Sequence, residues 1–230
     1  LTETSPVIAV NNPVRKEMKI GTVGPVLEGF EVKIASDGEI LCKGPGVMMG
    51  YYKAPELTSD VIDENGWFHT GDIGILEEGK FLKITDRKKE IFKLSGGKYI
   101  APQMIENKLK TSNLIEQVMV IGANEKFASA LISPNFPLLH DWCSEQRIHF
   151  ENNEELIKIP AVVEKIREEV ENVNKTLGAH EQINRIRLVC EEWTPATGEL
   201  SPTLKLRRNA VAVKYQRLID EIYSAGKNLK

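Results

Sequence analysis

Residues 85–102 read T-D-R-K-K-E-I-F-K-L-S-G-G-K-Y-I-A-P, and the organisation of the chain follows from how this stretch is parsed. It comes after an alternating apolar segment (Phe81, Leu82, Ile84) and places five cations in its first fourteen residues. It then turns on Gly96-Gly97 and stops at Pro102, where a helical pattern begins. Taken alone, these features describe a charged β-hairpin closed by a glycine turn. Such a loop also suits phosphate contact, because glycine puts no Cβ between the backbone and a thin ligand. One phosphate-loop pattern is excluded. G-x-x-x-x-G-K-[ST] needs serine or threonine directly after Gly97-Lys98, where the chain has Tyr99, and glycine five residues before Gly97, where it has Phe92.

Upstream, residues 1–85 are expected to be β-rich. Apolar segments at Val23–Val26, Phe30–Ile34 and Glu39–Lys43 are separated by Gly-Pro, Glu-Gly and Asp-Gly turn signals. The Asp37-Gly38 pair marks a hairpin. A short helix should open at Ala54-Pro55 and run to Val61 or Ile62. Ile73–Leu76 reads as a strand, and two strands flank Glu78-Gly79.

Downstream, helices and strands alternate. The pattern predicts a helix over Pro102–Leu109, with Ile105 and Leu109 on one face, and strands at Gln117–Ile121 and Ala130–Ser133. Leu138–Arg147 is a helix opened by Pro137. Val162, Ile166, Val170, Val173 and Leu177 keep a helical stripe that Gly178 should stop. Ile186–Cys190 reads as a strand, and Val211, Tyr215, Leu218 and Ile222 as a closing amphipathic helix. The division expected is a β-rich part over 1–85 and a small α+β part over 86–230, with Asp86 at the joint.

Composition narrows the classes. A chain of 230 residues buries a real core, and its net charge of −3 argues against a protein that coats nucleic acid. Cys42, Cys143 and Cys190 are odd in number and lack a C-x-x-C spacing, which reads as reduced, buried thiols in a cytoplasmic protein. His69, His140, His149 and His180 show no metal spacing and no partnered nucleophile. No apolar run is long enough to span a bilayer. The opening L-T-E-T-S-P, without an initiator methionine, reads as a piece of a longer protein. Asn174-Lys175-Thr176 fits a glycosylation sequon and is taken as coincidental.

Two further motifs carry chemistry only in combination. In T-G-D (Thr70–Asp72), a carboxylate following a glycine turn at a strand mouth can accept from two neighbouring hydroxyls, such as those of a ribose; equally it can be a strand-start aspartate. In L-S-P-T-L-K-L-R-R (200–208), Lys205 on a Pro/Ser/Thr-rich loop is a mobile point charge suited to a phosphate; equally the run is a basic helix start.

Together and in order, five segments resemble the C-terminal part of the adenylate-forming superfamily of acyl-CoA synthetases, luciferases and peptide-synthetase adenylation domains. They are T-E-T-S-P, G-E-I-L-C-K-G-P-G-V-M-M-G-Y-Y, G-W-F-H-T-G-D, D-R-K-K-E-I-F-K-L-S-G-G-K-Y-I-A-P-x-x-I-E and L-S-P-T-L-K-L-R-R. The T-G-E-L-S-P-T-L-K-L-R-R form and the helical insertion between about Pro137 and Gly178 are most similar to long-chain fatty-acid CoA ligases.

The resemblance implies an α/β (α+β) fold: the β-rich end of a large N-terminal adenylation domain, followed by a small mobile C-terminal domain. It implies two half-reactions, in which ATP and a fatty acid give an acyl-adenylate and the CoA thiol then displaces AMP. Glu3 matches the magnesium-binding glutamate, Thr2 lies beside the phosphate, and Asp72 and Arg87 match the ribose contacts. Lys205 matches the adenylation lysine and Lys93 a lysine used in the second half-reaction. Ser95, Gly96 and Gly97 match the loop lining the pantetheine tunnel, and Asp86 the hinge. The partners implied are small molecules, with peripheral contact at the inner membrane face for a lipid substrate. Alternatives carried forward are an adenylation domain that loads a carrier protein and a non-catalytic module using the Lys205–Arg208 patch. The family's phosphate loop and adenine-stacking aromatic have no counterpart in these residues, so the fragment by itself is expected to be inactive.

Overall fold

The computed structural model describes residues 1–224. The chain divides into two compact units, the first spanning Leu1–Ile91 and the second opening at Phe92.

The first unit is a five-stranded antiparallel sheet. Its strands are β1 (Gly24–Pro25), β2 (Glu31–Ile34), β3 (Glu39–Lys43), β4 (Phe68–Glu77) and β5 (Phe81–Arg87), in the order β1-β5-β4-β3-β2. Asp37-Gly38 makes the β2–β3 turn as expected, with Gly38 at φ +85°. Helix α1 (Pro55–Ser59) starts at the expected proline and ends sooner than expected. The chain past it is drawn into sheet-like pairing instead, because Ile62 bridges Phe68 and the His69 N–H donates to the Val61 carbonyl. Strand β4 is longer than Ile73–Leu76. It takes in the whole H-T-G-D segment, since Leu41 and Cys42 of β3 pair with His69 and Phe68.

The second unit opens with a hairpin, β6 (Phe92–Lys93) and β7 (Tyr99–Ile100), followed by α2 (Pro102–Leu109), β8 (Ile115–Ile121) and β9 (Ala128–Pro134). An inserted group follows, α3 (Phe136–Glu145), α4 (Asn153–Leu156) and α5 (Pro160–Asn174), before β10 (Ile183–Leu188), α6 (Arg208–Lys214) and α7 (Gln216–Ser224). The sheet order is β10-β9-β8, with β9 antiparallel to β8 and parallel to β10.

Strand alternation sorts this sheet's side chains into two cores. Val118, Val120, Ala130 and Ile132 pack with Ile105, Leu109, Val162, Ile166 and Val170. Met119 and Leu131, on the opposite face, pack with Val189, Trp193, Val211 and Ile222. A sheet covered on both faces accounts for a β9 buried along its whole length. Ile105 and Leu109 are fully buried, and removing each from water contributes about 1.5–3 kcal/mol.

Side-chain bonds account for three further departures from the sequence pattern. Helix α5 ends at Asn174 rather than at Gly178, because Asn174 turns its side chain to β10: its amide donates to the Ile183 carbonyl at 3.0 Å and its oxygen accepts the Ile183 N–H at 2.9 Å. The same staple starts β10 at Ile183, earlier than Ile186, and buries the sequon asparagine. The closing helix is two helices, broken where Tyr215 leaves helical geometry (φ −108°, ψ 20°). There its hydroxyl accepts from the Trp193 indole at 3.2 Å and donates to Glu191 at 3.1 Å. Cys42 and Cys143 are buried, Cys190 is partly so, and all three are free thiols.

Candidate active site

In the first unit the site is built on the inner strands β3, β4 and β5. Thr70 donates from Oγ1 to the Ile40 carbonyl at 2.7 Å and accepts the Asp72 N–H at 3.1 Å, while Gly71 between them sits at φ +71°. The turn rests on a carboxylate that the sequence motifs did not single out. Glu39 is 3% exposed, and its oxygens accept the Gly71 N–H at 2.9 Å, contact His69 Nδ1 at 3.0 Å and accept from Lys88 Nζ at 2.8 Å. Burial alone would raise the Glu39 pKa, but the Lys88 ammonium, His69 and the Gly71 N–H together hold it below the ordinary glutamate value. Lys88 also reaches Asp37 at 2.7 Å, and its own pKa is raised by Asp37 first and Glu39 second.

Asp72 and Arg87 are register partners across β4 and β5, with Arg87 Nε 3.7 Å from Asp72 Oδ1. Glu3 lies in a short helical turn, Thr2–Thr4, pinned by the Met48 N–H on the Glu3 carbonyl, and its Oε1 accepts from the Tyr51 hydroxyl at 3.1 Å. These residues open onto one cleft of about 510 Å³, whose lining includes Glu3, Tyr51, Asp72 and Arg87. The structure therefore brings Glu3, Asp72 and Arg87 together. Thr2 flanks Glu3 in the same turn, exposed, and does not line the cleft. Asp86 is fully buried within β5, opposite Ile73, and its Oδ1 accepts the Arg87 N–H at 2.6 Å.

In the second unit, the glycine hairpin has Lys93 paired with Tyr99, the Leu94 N–H on the Lys98 carbonyl and Gly97 at φ +86°. Leu94 and Ile100 are buried in the core beneath it, and the Ser95 N–H donates to the Glu125 carbonyl at 2.9 Å. Ser95, Gly96 and Gly97 are exposed at the tip, and Lys93 Nζ stands 5.6 Å from the centre of the Tyr99 ring. The two glycines are not equivalent. Gly97 needs its positive φ, whereas Gly96 has no such φ, and a Cβ added there would meet no heavy atom within 4 Å among the described residues.

Lys205 is exposed on a loop closed by the Leu200–Leu206 bridge. The loop holds its shape through the Ser201 N–H on the Lys205 carbonyl at 2.8 Å, the Lys205 N–H on Ser201 Oγ at 3.0 Å and Leu204 at φ +58°. Ion pairs on buried carboxylates flank it: Glu199 with the partly exposed Lys214 at 2.6 Å, and Glu106 with Arg208 at 2.6 Å.

Comparison with known proteins places this geometry in a family. Residues 89–227, more than half of the chain, match the AMP-binding enzyme C-terminal domain, and the chain belongs to that family. It is 36% identical over 225 residues to the long-chain-fatty-acid–CoA ligase FadD15 of Mycobacterium bovis, covering 97% of this chain and 37% of that protein. It is 39% identical over 195 residues to long-chain-fatty-acid–CoA ligase 1 of Cavia porcellus, covering 83% of this chain and 28% of that protein. The chain thus spans about a third of the length of these relatives. Among solved structures, the adenylation domain of a carboxylate reductase from Mycobacterium chelonae matches with a TM-score of 0.70 at 23% identity, over 90% of this chain and 34% of that one. The O-succinylbenzoate coenzyme A synthetase of Bacillus subtilis, in complex with AMP, matches with a TM-score of 0.63 at 24% identity, over 91% and 39%. Both show the adenylation-domain fold.

Proposed function

We propose that these residues are the C-terminal part of a long-chain fatty-acid CoA ligase, acting on ATP, a long aliphatic acid and CoA. The observation that carries the proposal is the cleft of the first unit, which gathers Glu3 of the Thr2–Thr4 turn with Asp72 and Arg87 of the paired strands β4 and β5. Identity to long-chain fatty-acid CoA ligases over nearly the whole chain supports the substrate class.

In the first half-reaction a carboxylate oxygen attacks the α-phosphorus of ATP, and pyrophosphate leaves with the electrons of the broken bond. Asp72 accepts hydrogen bonds from the ribose hydroxyls, and Arg87, paired with it across the strands, fixes the direction of that carboxylate and contacts the ribose. Thr2, which flanks Glu3 without lining the cleft, is assigned to the phosphate side. Lys205 meets the α-phosphate and the attacking carboxylate as negative charge develops, so its part is electrostatic and positional, with no proton transfer required. In the second half-reaction the CoA sulfur attacks the acyl carbonyl and AMP leaves. Lys93 faces the departing phosphate, and Ser95, Gly96 and Gly97 pass the pantetheine arm. A ligand brought against the backbone at Gly96 supplies the reason for a glycine that nothing among the described residues demands.

Magnesium fits the donor set. Among the described residues no three acidic, histidine or cysteine side chains form a cage, and Glu3 offers a single carboxylate on the cleft. One carboxylate plus phosphate oxygens and water is how this cation is ordinarily held. When bound, it would neutralise charge on the phosphates.

Exchange between the poses presenting Lys205 and the glycine hairpin is assigned to a pivot at Asp86, a few residues before the division at Ile91 and Phe92. Because of its lipid substrate the protein is placed inside the cell with peripheral contact at a membrane. Among the described residues no helix is long and apolar enough to cross one. The test is acid-dependent ATP–pyrophosphate exchange by the intact enzyme across a panel of chain lengths. Activity with long aliphatic acids and little with short or aromatic ones is expected, and the reverse order would overturn the substrate class. The 230 residues by themselves are expected to catalyse no exchange.

A further inference from the structure

We propose that Glu106 and Glu199 are positioning residues for Lys205: two buried carboxylates that hold the two feet of its loop and so set where its ammonium is presented. The proposal rests on the assignment of Lys205 to acyl-adenylate formation.

The bonds within Leu200–Leu206 fix the shape of the loop but not its attachment to the rest of the unit. Leu200 and Leu206 pack in the core with Met119 and Leu131, and polar bonds at the two feet complete the attachment. At the first, the Glu199 carbonyl accepts the Arg207 N–H at 2.8 Å and closes the loop's base. The Glu199 side chain, 1% exposed, accepts from Lys214 Nζ at 2.6 Å. Lys214 is itself paired with Glu191, which accepts from the Tyr215 hydroxyl, which in turn accepts from the Trp193 indole. At the second foot, three residues past Lys205, Arg208 Nη2 donates to Glu106 Oε2 at 2.6 Å and Nη1 donates to the Val120 carbonyl at 3.3 Å. The other Glu106 oxygen accepts the Val120 N–H at 2.7 Å.

Glu106 cannot follow a moving loop. It sits on α2 beside Ile105, which is fully buried, and is tied to β8 at Val120. An ion pair made on a buried carboxylate is a weak source of net stability, because desolvation of that carboxylate offsets most of the attraction. What it supplies well is a unique arrangement, and two such pairs flanking one exposed lysine loop suit that purpose. The hairpin carrying Lys93 is anchored differently, through Leu94, Ile100 and the backbone bonds to Asn124 and Glu125. Loosening either foot should therefore displace Lys205 and leave the hairpin in place.

The experiment uses the intact enzyme with Glu106→Gln, Glu199→Gln and Lys205→Ala. Each is followed by ATP–pyrophosphate exchange and, separately, by thioester formation from supplied acyl-adenylate and CoA. Both glutamine variants should lose roughly 10- to 100-fold in the kcat of exchange, with the KM for ATP and the thioester rate within about twofold of wild type. An equal loss in both assays, a change confined to the KM for ATP, or no loss would overturn the proposal. Lys205→Ala separates the two levels. If that variant keeps exchange, the assignment of Lys205 fails. If it loses exchange while both glutamine variants keep it, only the positioning role fails.

Discussion

Lys88 Nζ lies 2.8 Å from Glu39 Oε2, tying the residue after β5 to the buried carboxylate that carries the Thr70–Asp72 turn. Glu39→Gln keeps an acceptor for the Gly71 N–H but removes the charge that Lys88 and His69 face. The expected cost is about 1–2 kcal/mol, moderated because Lys88 is half exposed to water. Asp72 shifts with its turn, so the KM for ATP of the intact enzyme should rise roughly tenfold. Thermal unfolding and steady-state kinetics measure the two effects.

The same pair gives a pH signature. The Glu39 pKa is depressed in the folded chain, so its contribution to stability is present above its ordinary value of 4.5 and is lost as pH falls through the folded value. The Lys88 pKa is raised, so its contribution is complete below 10.5 and is lost as pH rises through the folded value. The difference in melting temperature between wild type and Glu39→Gln should be level across neutral pH and shrink at the acid end. A difference that grows toward acid pH would contradict the assigned charge state.

Much of this was legible in the sequence, and what was not has identifiable causes. Asp37-Gly38, the Gly96-Gly97 turn and Pro102 are local signals, and the elements they mark stand where expected. Motif order is what singles out Lys93, Asp72, Arg87 and Lys205. Glu39, Lys88, Glu106 and Arg208 lay inside those motifs without an assigned role, because each acts on a partner distant in the chain: 49 residues separate Lys88 from Glu39, and 102 separate Arg208 from Glu106. The end of α5 and the break in the closing helix escape the sequence pattern for a related reason. Asn174 and Tyr215 obey side-chain bonds to Ile183 and Trp193 rather than the helical stripe around them.

Two glycines near the cleft lined by Glu3, Asp72 and Arg87 should respond differently to alanine. At Gly74 an added Cβ would stand 2.3 Å from the Lys83 carbonyl oxygen of the neighbouring strand, so Gly74→Ala must part β4 from β5, at a cost of about 1–3 kcal/mol or more. At Gly71 there is open space and only the positive φ to oppose alanine, so Gly71→Ala should cost about 1 kcal/mol. Denaturant titration of the two variants ranks them directly.

Gly96→Ala tests the ligand-side role of the hairpin. With neither a positive φ nor a neighbour within 4 Å among the described residues, alanine should leave stability unchanged or raise it by up to about 1 kcal/mol. In the intact enzyme, thioester formation from supplied acyl-adenylate should slow roughly tenfold or more, with exchange near wild type. An unaffected thioester rate would remove the pantetheine role from this position.

The most direct measurement is Lys205→Ala in the intact enzyme, followed through both half-reactions. The exposed lysine on the Leu200–Leu206 loop is assigned to the first half-reaction alone. ATP–pyrophosphate exchange should fall by roughly a hundredfold or more, with thioester formation from supplied acyl-adenylate retained. Exchange at the wild-type rate in that variant would contradict the account.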